Sequence, residues 1–150
     1  MKLLKEILRI LKQIFYLPRY LINFLFGTFY YDNFLAKSKI KNSGNLPLNK
    51  KVVIFLIFPD RGLAKSHLRT LKYFIRNNFS PLIVSNLPLS KENKNLLLKY
   101  CWTLIERKNY GYDFGGYRDG VLFLSEKIRD LDKLIPVSYT HLTLPTIYSV

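Results

Sequence analysis

The sequence predicts an α/β fold: a Rossmann-like parallel sheet with the order β-α-β-α-β-loop-α, preceded by an N-terminal amphipathic helical region. Two observations predict it. Short β-branched apolar runs alternate with segments whose apolar residues recur at helical spacing. Hydrophobic residues also make up 49% of the 150 residues, which is enough apolar surface for one buried core.

The first predicted element is an amphipathic helix over residues 3–17, with Leu, Ile and Phe on one face and Lys, Arg, Glu and Gln on the other. Pro18 is expected to end or kink it, because proline removes a helical hydrogen bond. A second apolar and aromatic stretch follows at 20–31. It is shorter than the roughly 20 residues of a membrane span, so the pattern favours a hairpin on a membrane surface over a crossing.

The positive charge is concentrated in this region. Residues 1–51 hold ten basic and two acidic residues, which gives +8 of the net +14. Basic residues beside Leu, Phe and Tyr are typical of an interfacial anchor on anionic lipid. We therefore predict a membrane-surface helical region at 1–36 and a polar linker at 37–50. The alternative is a helical extension that packs on another part of a longer protein.

Residues 51–135 carry the sheet pattern. The run at 51–58 is continuously β-prone, as expected of a strand buried on both faces. A helical pattern at 63–75 leads to a second strand at 81–85. Ser90 is a candidate N-cap for a helix through Cys101, and a third strand follows at 102–106. We expect a further helix at about 117–128, and parallel strands joined by right-handed crossovers.

A glycine-rich segment, 109–120, connects the third strand to that last helix. Ligands of parallel α/β sheets bind at the carboxyl ends of the strands, where glycines allow close backbone approach and a helix N-terminus favours phosphate. Asp113 could accept hydrogen bonds from a ribose or base, and Arg118 could pair with a diphosphate. Tyr112, Phe114 and Tyr117 could wall the pocket. A purely structural turn is the alternative, since an isolated glycine-rich loop is a weak signal.

The same segment resembles the rhamnan synthesis F family, which comprises glycosyltransferase-like proteins of bacterial surface polysaccharide assembly. The family pattern is matched at Arg107, Asn109, Gly111, Asp113, Phe114, Gly115, Tyr117, Arg118 and Gly120. The run at 84–86 after the second strand is also similar, and the resemblance covers about residues 51–135. Together with the expected position of this segment at the carboxyl ends of the strands, the resemblance predicts a nucleotide-sugar-binding site. The predicted site residues are Asn109, Gly111, Asp113, Phe114, Gly115, Gly116, Tyr117, Arg118 and Asp119.

The resemblance implies a truncated GT-A-like half that binds a nucleotide sugar such as dTDP-rhamnose, for transfer to a glycan or lipid-linked acceptor. It implies a cytoplasmic protein, peripheral on the inner face of the plasma membrane. The acidic motif expected after a strand near 134–135 is missing. We therefore expect no metal site and no activity in these 150 residues, while a longer protein could bind Mg²⁺ or Mn²⁺.

Two other functional classes are compatible with the composition. A non-catalytic sugar-nucleotide-binding module would keep the fold without transfer, and a nucleic-acid-binding module would explain the charge of +14. We expect no nucleic-acid partner, because the aromatic residues at 15–31 cluster beside aliphatic ones. The single cysteine and two histidines exclude a disulfide framework and argue against a zinc cluster.

The C-terminal segment differs from the rest of the chain. Residues 137–150 contain no Lys, Arg, Asp or Glu. They can be back-translated into the transposon end and adapter of common sequencing libraries, and the last bases of the Pro136 codon would belong to it. We predict that 136–150 is not native sequence and that the natural protein is longer. The alternative is a genuine C-terminal strand, since Thr, Val, Tyr and Ile favour β structure.

Overall fold

The computed structural model describes residues 2–35, 39–60 and 62–139. The chain divides into two compact units, Met1–Lys37 and Ser38–Val150. The first holds helix α1 (Lys2–Tyr30), which continues into a π-helical turn, Tyr31–Leu35. The second holds, in chain order, β1 (Ile40–Ser43), β2 (Lys51–Ile57), α2 (Lys65–Arg76), β3 (Ser80–Ser85), α3 (Lys91–Leu98), β4 (Thr103–Glu106), α4 (Tyr112–Lys127) and β5 (Lys133–Tyr139).

Helix α1 corrects one expectation from the sequence. It runs without interruption through Pro18, so the expected helix end and the hairpin after it are wrong. Proline costs the helix the hydrogen bond to the Ile14 carbonyl. The residues on both sides keep one helical period, so a continuous helix keeps the apolar residues on one face. No helix in the described part of the chain combines the length and apolar continuity that a membrane crossing requires.

The sheet has five strands in the order β1-β4-β3-β2-β5. Strands β2, β3, β4 and β5 are parallel to one another, and the edge strand β1 pairs antiparallel with β4. This confirms the predicted β-α-β-α-β order and the mixed α/β class. The order reverses at β2, because β3 lies on one side of it and β5 on the other. In such sheets the ligand crevice lies outside the carboxyl ends of the strands at this point.

Strand β1 lies inside the segment predicted to be a polar linker. Its register pairs Ile40 with Glu106 and Ser43 with Thr103. The edge of β4 leaves backbone groups that need partners, and this polar stretch supplies them. The segment is too short and too polar for its periodicity to reveal a strand.

Two cores lie on opposite faces of the sheet. One face packs Ile54, Leu56 and Val84 under Phe123 and Leu124 of α4. The other face packs Phe55, Ile57 and Ile83 with Leu71 of α2 and Leu97 of α3. The central strands are therefore covered on both sides, which is why their sequence is continuously apolar.

The helix boundaries follow local chemistry. The Ser90 hydroxyl accepts a hydrogen bond from the Asn93 backbone N–H at 3.2 Å, which confirms it as the N-cap of α3. Helix α4 begins at Tyr112, five residues before the predicted start at Tyr117. Much of the glycine-rich segment is thus helical. Strand β5 begins where a strand was expected and continues through residues 136–139 of the predicted non-native tail. Residues 140–150 of that tail lie outside the described residues.

Candidate functional site at the carboxyl ends of the strands

Helix α4 starts on a left-handed turn that follows β4. Gly111 is its N-cap with φ of 69°, and Tyr112 has φ of 50°. A residue with a side chain is strained in this region, whereas glycine is not. Gly111 therefore allows the chain to leave the sheet and turn directly into α4, which places the first turn of the helix at the carboxyl edge.

The buried side chain of Arg107 stabilises this turn by hydrogen bonds to three residues. Its guanidinium is buried and donates from Nε to Asp119 Oδ2 at 2.7 Å, from Nη1 to Asn86 Oδ1, and from Nη2 to the Tyr110 carbonyl. Asp119 also accepts from Lys39 Nζ at 2.5 Å. The side chain of Asp119 is fully buried. Its carboxylate therefore pairs with two cations inside the protein, which is a different position from the nucleotide contact predicted for it.

Glycines allow α4 to lie close to the turn and the sheet. A side chain at Gly115 would collide with the Tyr110 carbonyl and the Arg107 guanidinium. One at Gly116 would collide with Leu56 of β2. The sequence predicted that Gly115 and Gly116 approach a ligand; the structure places both against protein atoms. They set the depth of α4 on the sheet.

The opposite side of the first turn faces strand β5. Asp113 is half-buried, and its Oδ2 accepts a hydrogen bond from Ser138 Oγ at 2.9 Å. Tyr117, one turn later, is also half-buried. Burial raises the pKa of Tyr117, the Asp113 carboxylate raises it further, and the hydrogen bond with Ser138 opposes both. Tyr117 is thus a neutral phenol at pH 7, with Asp113 beside it.

The remaining predicted site residues differ in their exposure. Phe114 is 88% exposed and Tyr112 is 75% exposed. Arg118 is half-buried. Asn109 Oδ1 and Asn86 Nδ2 are buried, and neither has a hydrogen-bond partner among the described residues. The motif therefore divides into a packing half, which contains Gly115, Gly116 and Asp119, and an accessible half around Asp113, Phe114 and Arg118.

Glu106 is a buried polar residue that the sequence did not single out. Its carboxylate accepts from Lys94 Nζ at 2.6 Å, from the Leu89 backbone N–H at 3.0 Å and from Asn42 Nδ2 at 3.3 Å. These contacts fasten the end of β4 to α3 and β1. The partners lie up to 64 residues away in sequence, so no local spacing indicates them.

The described residues do not fit a metal site. Across residues 2–35, 39–60 and 62–139, no three His, Cys, Asp or Glu side chains lie close enough together to hold an ion. The Asp119 carboxylate is already paired with Arg107 and Lys39.

The parallel sheet, the strand-order reversal at β2 and the glycine-rich helix start define a doubly wound type of α/β domain whose candidate ligand site is the carboxyl edge. Residues 82–148 match the family model of rhamnan synthesis protein F, which confirms the resemblance found in the sequence. The match starts in β3, later than the expected 51, and extends into the uncharged segment beyond 137. The adapter origin of that segment stays a prediction.

Curated relatives extend the comparison. The chain is 37% identical over 126 residues to uncharacterized protein y4gN of Sinorhizobium fredii, covering 84% of this chain and 33% of the relative. It is 33% identical over 95 residues to virulence protein VirA of Vibrio anguillarum, covering 59% of this chain and 30% of the relative. The chain thus spans about a third of the length of these relatives. No solved structure matches.

Proposed function

We propose that this protein is part of a glycosyltransferase of bacterial surface polysaccharide synthesis. Its donor is a nucleotide sugar, dTDP-rhamnose, and its acceptor is a growing glycan or a lipid-linked glycan. The sheet domain is the nucleotide-binding half of a GT-A-like enzyme. One observation carries the proposal: the family match includes α4, and the accessible half of its motif lies at the carboxyl edge of the parallel strands.

The start of α4 suits a diphosphate. The first backbone N–H groups of a helix have no partner within it, and the aligned peptide dipoles make this end positive. Gly111 places no side chain over these groups, and Arg118 adds a guanidinium within the next two turns. Helix N-termini with these properties bind phosphate groups. Arg118 therefore contacts the diphosphate in our proposal.

Asp113 and the two exposed aromatic residues suit the nucleoside. A carboxylate accepts hydrogen bonds from hydroxyl groups, such as the 3′-hydroxyl of the deoxyribose or those of the sugar, and Asp113 stands at the first turn of α4 on the β5 side. Phe114 and Tyr112 leave most of their ring surface uncovered. Stacking on a base or sugar would bury part of that apolar surface.

In the transfer step, a bond forms between the acceptor oxygen and the anomeric carbon while the bond from that carbon to the diphosphate breaks. The acceptor proton passes to a carboxylate base. The role of this domain is to hold the departing diphosphate at the positive start of α4, where its developing charge is stabilised.

The test is calorimetric titration of the full chain with dTDP-rhamnose. We expect saturable binding that Asp113→Asn and Arg118→Gln each weaken by roughly tenfold to a hundredfold, because a hydrogen bond to a charged group contributes about 1.5–3 kcal/mol.

Matched controls lie at the opposite, amino edge of β5. Asp130→Asn and Arg129→Gln make the same chemical changes at exposed positions and should leave the affinity unchanged. Equal losses in the site and control variants would contradict the proposed site. Saturable binding of single-stranded DNA in place of the nucleotide sugar would favour a nucleic-acid module instead.

A further inference from the structure

Helix α1 separates apolar and polar residues into two sectors along its whole length. At 100° per residue, the Leu, Ile and Phe positions in the sequence between Ile7 and Phe29 fall in a sector of roughly 200°. The basic residues Lys5, Arg9, Lys12 and Arg19 fall in the remaining sector, with Tyr16, Tyr20 and Tyr30. Pro18 lies within the apolar sector, and the pattern has the same phase before and after it.

The apolar sector is uncovered. The Leu, Ile and Phe side chains between Ile7 and Phe29 whose burial the structure describes are 45% to 81% exposed. A contiguous apolar surface of this length marks an interaction site, since soluble proteins rarely expose one. A partner that fits this surface has apolar groups that contact the apolar sector and anionic groups that lie beside the basic residues. Anionic groups are required because α1 contains five basic residues and one acidic residue, Glu6.

We propose that α1 is an interfacial helix that binds the surface of an anionic lipid bilayer, with its apolar sector among the acyl chains and its basic residues at the headgroups. Arg9, Lys12 and Arg19 interrupt the apolar sequence, which suits a helix in the plane of the interface. The proposal is independent of the sugar donor.

The cytoplasmic leaflet, which carries the anionic lipids, is the surface that this charge fits. Peripheral binding there would keep the sheet domain close to a lipid-linked acceptor. This location rests on the proposed function, whereas lipid binding by α1 does not.

The experiment is flotation of the full chain with phosphatidylglycerol vesicles and with phosphatidylcholine vesicles. We expect binding to the anionic vesicles that weakens at least tenfold at high salt, and little binding to the neutral ones. Binding to neither kind of vesicle would overturn the proposal, and so would equal, salt-insensitive binding to both.

Two comparisons between double variants test which surface binds the lipid. In each comparison the site variant and its control change the net charge by the same amount. Ile14→Gln with Leu25→Gln changes the apolar sector and should weaken binding at least tenfold. Tyr16→Gln with Tyr20→Gln makes the same number of changes in the polar sector and should weaken it less than threefold. Arg9→Gln with Lys12→Gln should also weaken binding at least tenfold.

The second control lies on the basic face of α2, where Lys65, Arg69, Lys72 and Arg76 line a groove of about 500 Å³. Arg69→Gln with Lys72→Gln removes the same charge there and should leave vesicle binding unchanged. A loss as large as that of Arg9→Gln with Lys12→Gln would overturn the assignment to α1. Self-association that Ile14→Gln with Leu25→Gln disperses, without vesicle binding, would show that a second copy is the occupant. Unchanged Trp102 fluorescence would show that the sheet domain remains folded in each variant.

Discussion

Strand β2 and helix α1 are built from the same kinds of apolar residue and differ in what surrounds them. Val52 to Ile57 of β2 are fully buried, whereas Phe15 of α1 is 81% exposed. The strand is covered on both faces by helices of its own domain, so its apolar residues contribute to the stability of the fold. The apolar side chains of α1 whose burial is described are exposed instead. Apolar composition therefore marks burial in one region and an available surface in the other.

The largest expected effect is a matched pair of phenylalanine truncations. Phe55→Ala leaves a cavity between β2 and α2 and should lower the free energy of unfolding by about 3–5 kcal/mol. Phe15→Ala should leave it unchanged. Urea unfolding followed by the fluorescence of Trp102, the single tryptophan, measures both. Equal effects of the two substitutions would contradict the division between the regions.

The next comparison contrasts buried and exposed ion pairs. Asp119→Ala leaves the buried Arg107 without its carboxylate, and we expect a loss of about 3 kcal/mol. Glu6→Ala removes an exposed pair with Arg9, whose atoms are 3.3 Å apart, and should cost less than about 0.5 kcal/mol. The urea midpoints of the two variants decide it. An Asp119→Ala variant as stable as the parent would show that the pairing with Arg107 contributes nothing.

Glycine-to-alanine substitutions in the two regions should change stability in opposite directions. Gly115→Ala places a methyl group against the Tyr110 carbonyl, which is fixed backbone, and should destabilise the sheet domain by about 1–3 kcal/mol. Gly27 in α1 has open space around it, so Gly27→Ala should raise helix stability by up to about 1 kcal/mol. Circular dichroism during thermal unfolding separates the two. A stabilised Gly115→Ala variant would refute the packing role assigned to this glycine.

The smallest expected effect concerns pH. His67 is buried, its Nδ1 accepts a hydrogen bond from the Ala64 backbone N–H at 3.1 Å, and burial lowers the pKa of His67 from its usual 6.5. The imidazole of His67 therefore binds a proton more readily in the unfolded chain than in the folded protein. The contribution of the neutral His67 side chain to the free energy of unfolding is complete above pH 6.5, and it decreases as the pH falls below that value.

The His67 prediction is tested by urea unfolding between pH 7.5 and pH 5. The decrease should be smaller in His67→Gln, whose side chain does not titrate in this range. The Glu6→Ala substitution in α1 should leave the pH dependence of the sheet domain unchanged. A His67→Gln variant with the parent's full pH dependence would show that other groups cause it.

Long apolar or capped segments were predictable from the sequence, and features that depend on distant partners were not. Strand β2 and the cap at Ser90 carry their signals in consecutive residues. Strand β1 was missed, because it is a strand only by pairing with β4, sixty residues later in the chain. The helix end expected at Pro18 was wrong. Proline disfavours the interior of a helix, but the apolar period continues on both sides of Pro18 and favours one continuous helix.

The candidate site shows the same division. Asp113, Phe114 and Arg118 were found from the motif, and they are the accessible part of it. The motif also contained Arg107 and Gly115, but a pattern cannot distinguish a residue that contacts a ligand from one that packs against its own chain. Lys39 had no signal at all, since its contact with Asp119 spans 80 residues.

Strand β1 has a consequence for solubility. Without it, β4 would present an unpaired edge beside apolar residues such as Leu104, and such edges recruit strands of other molecules. The strand that covers this edge has four residues, IKNS, with one lysine and two further polar side chains. Short, polar edge strands are poor templates for further pairing. The segment that connects α1 to the sheet thereby protects the domain against aggregation through this edge.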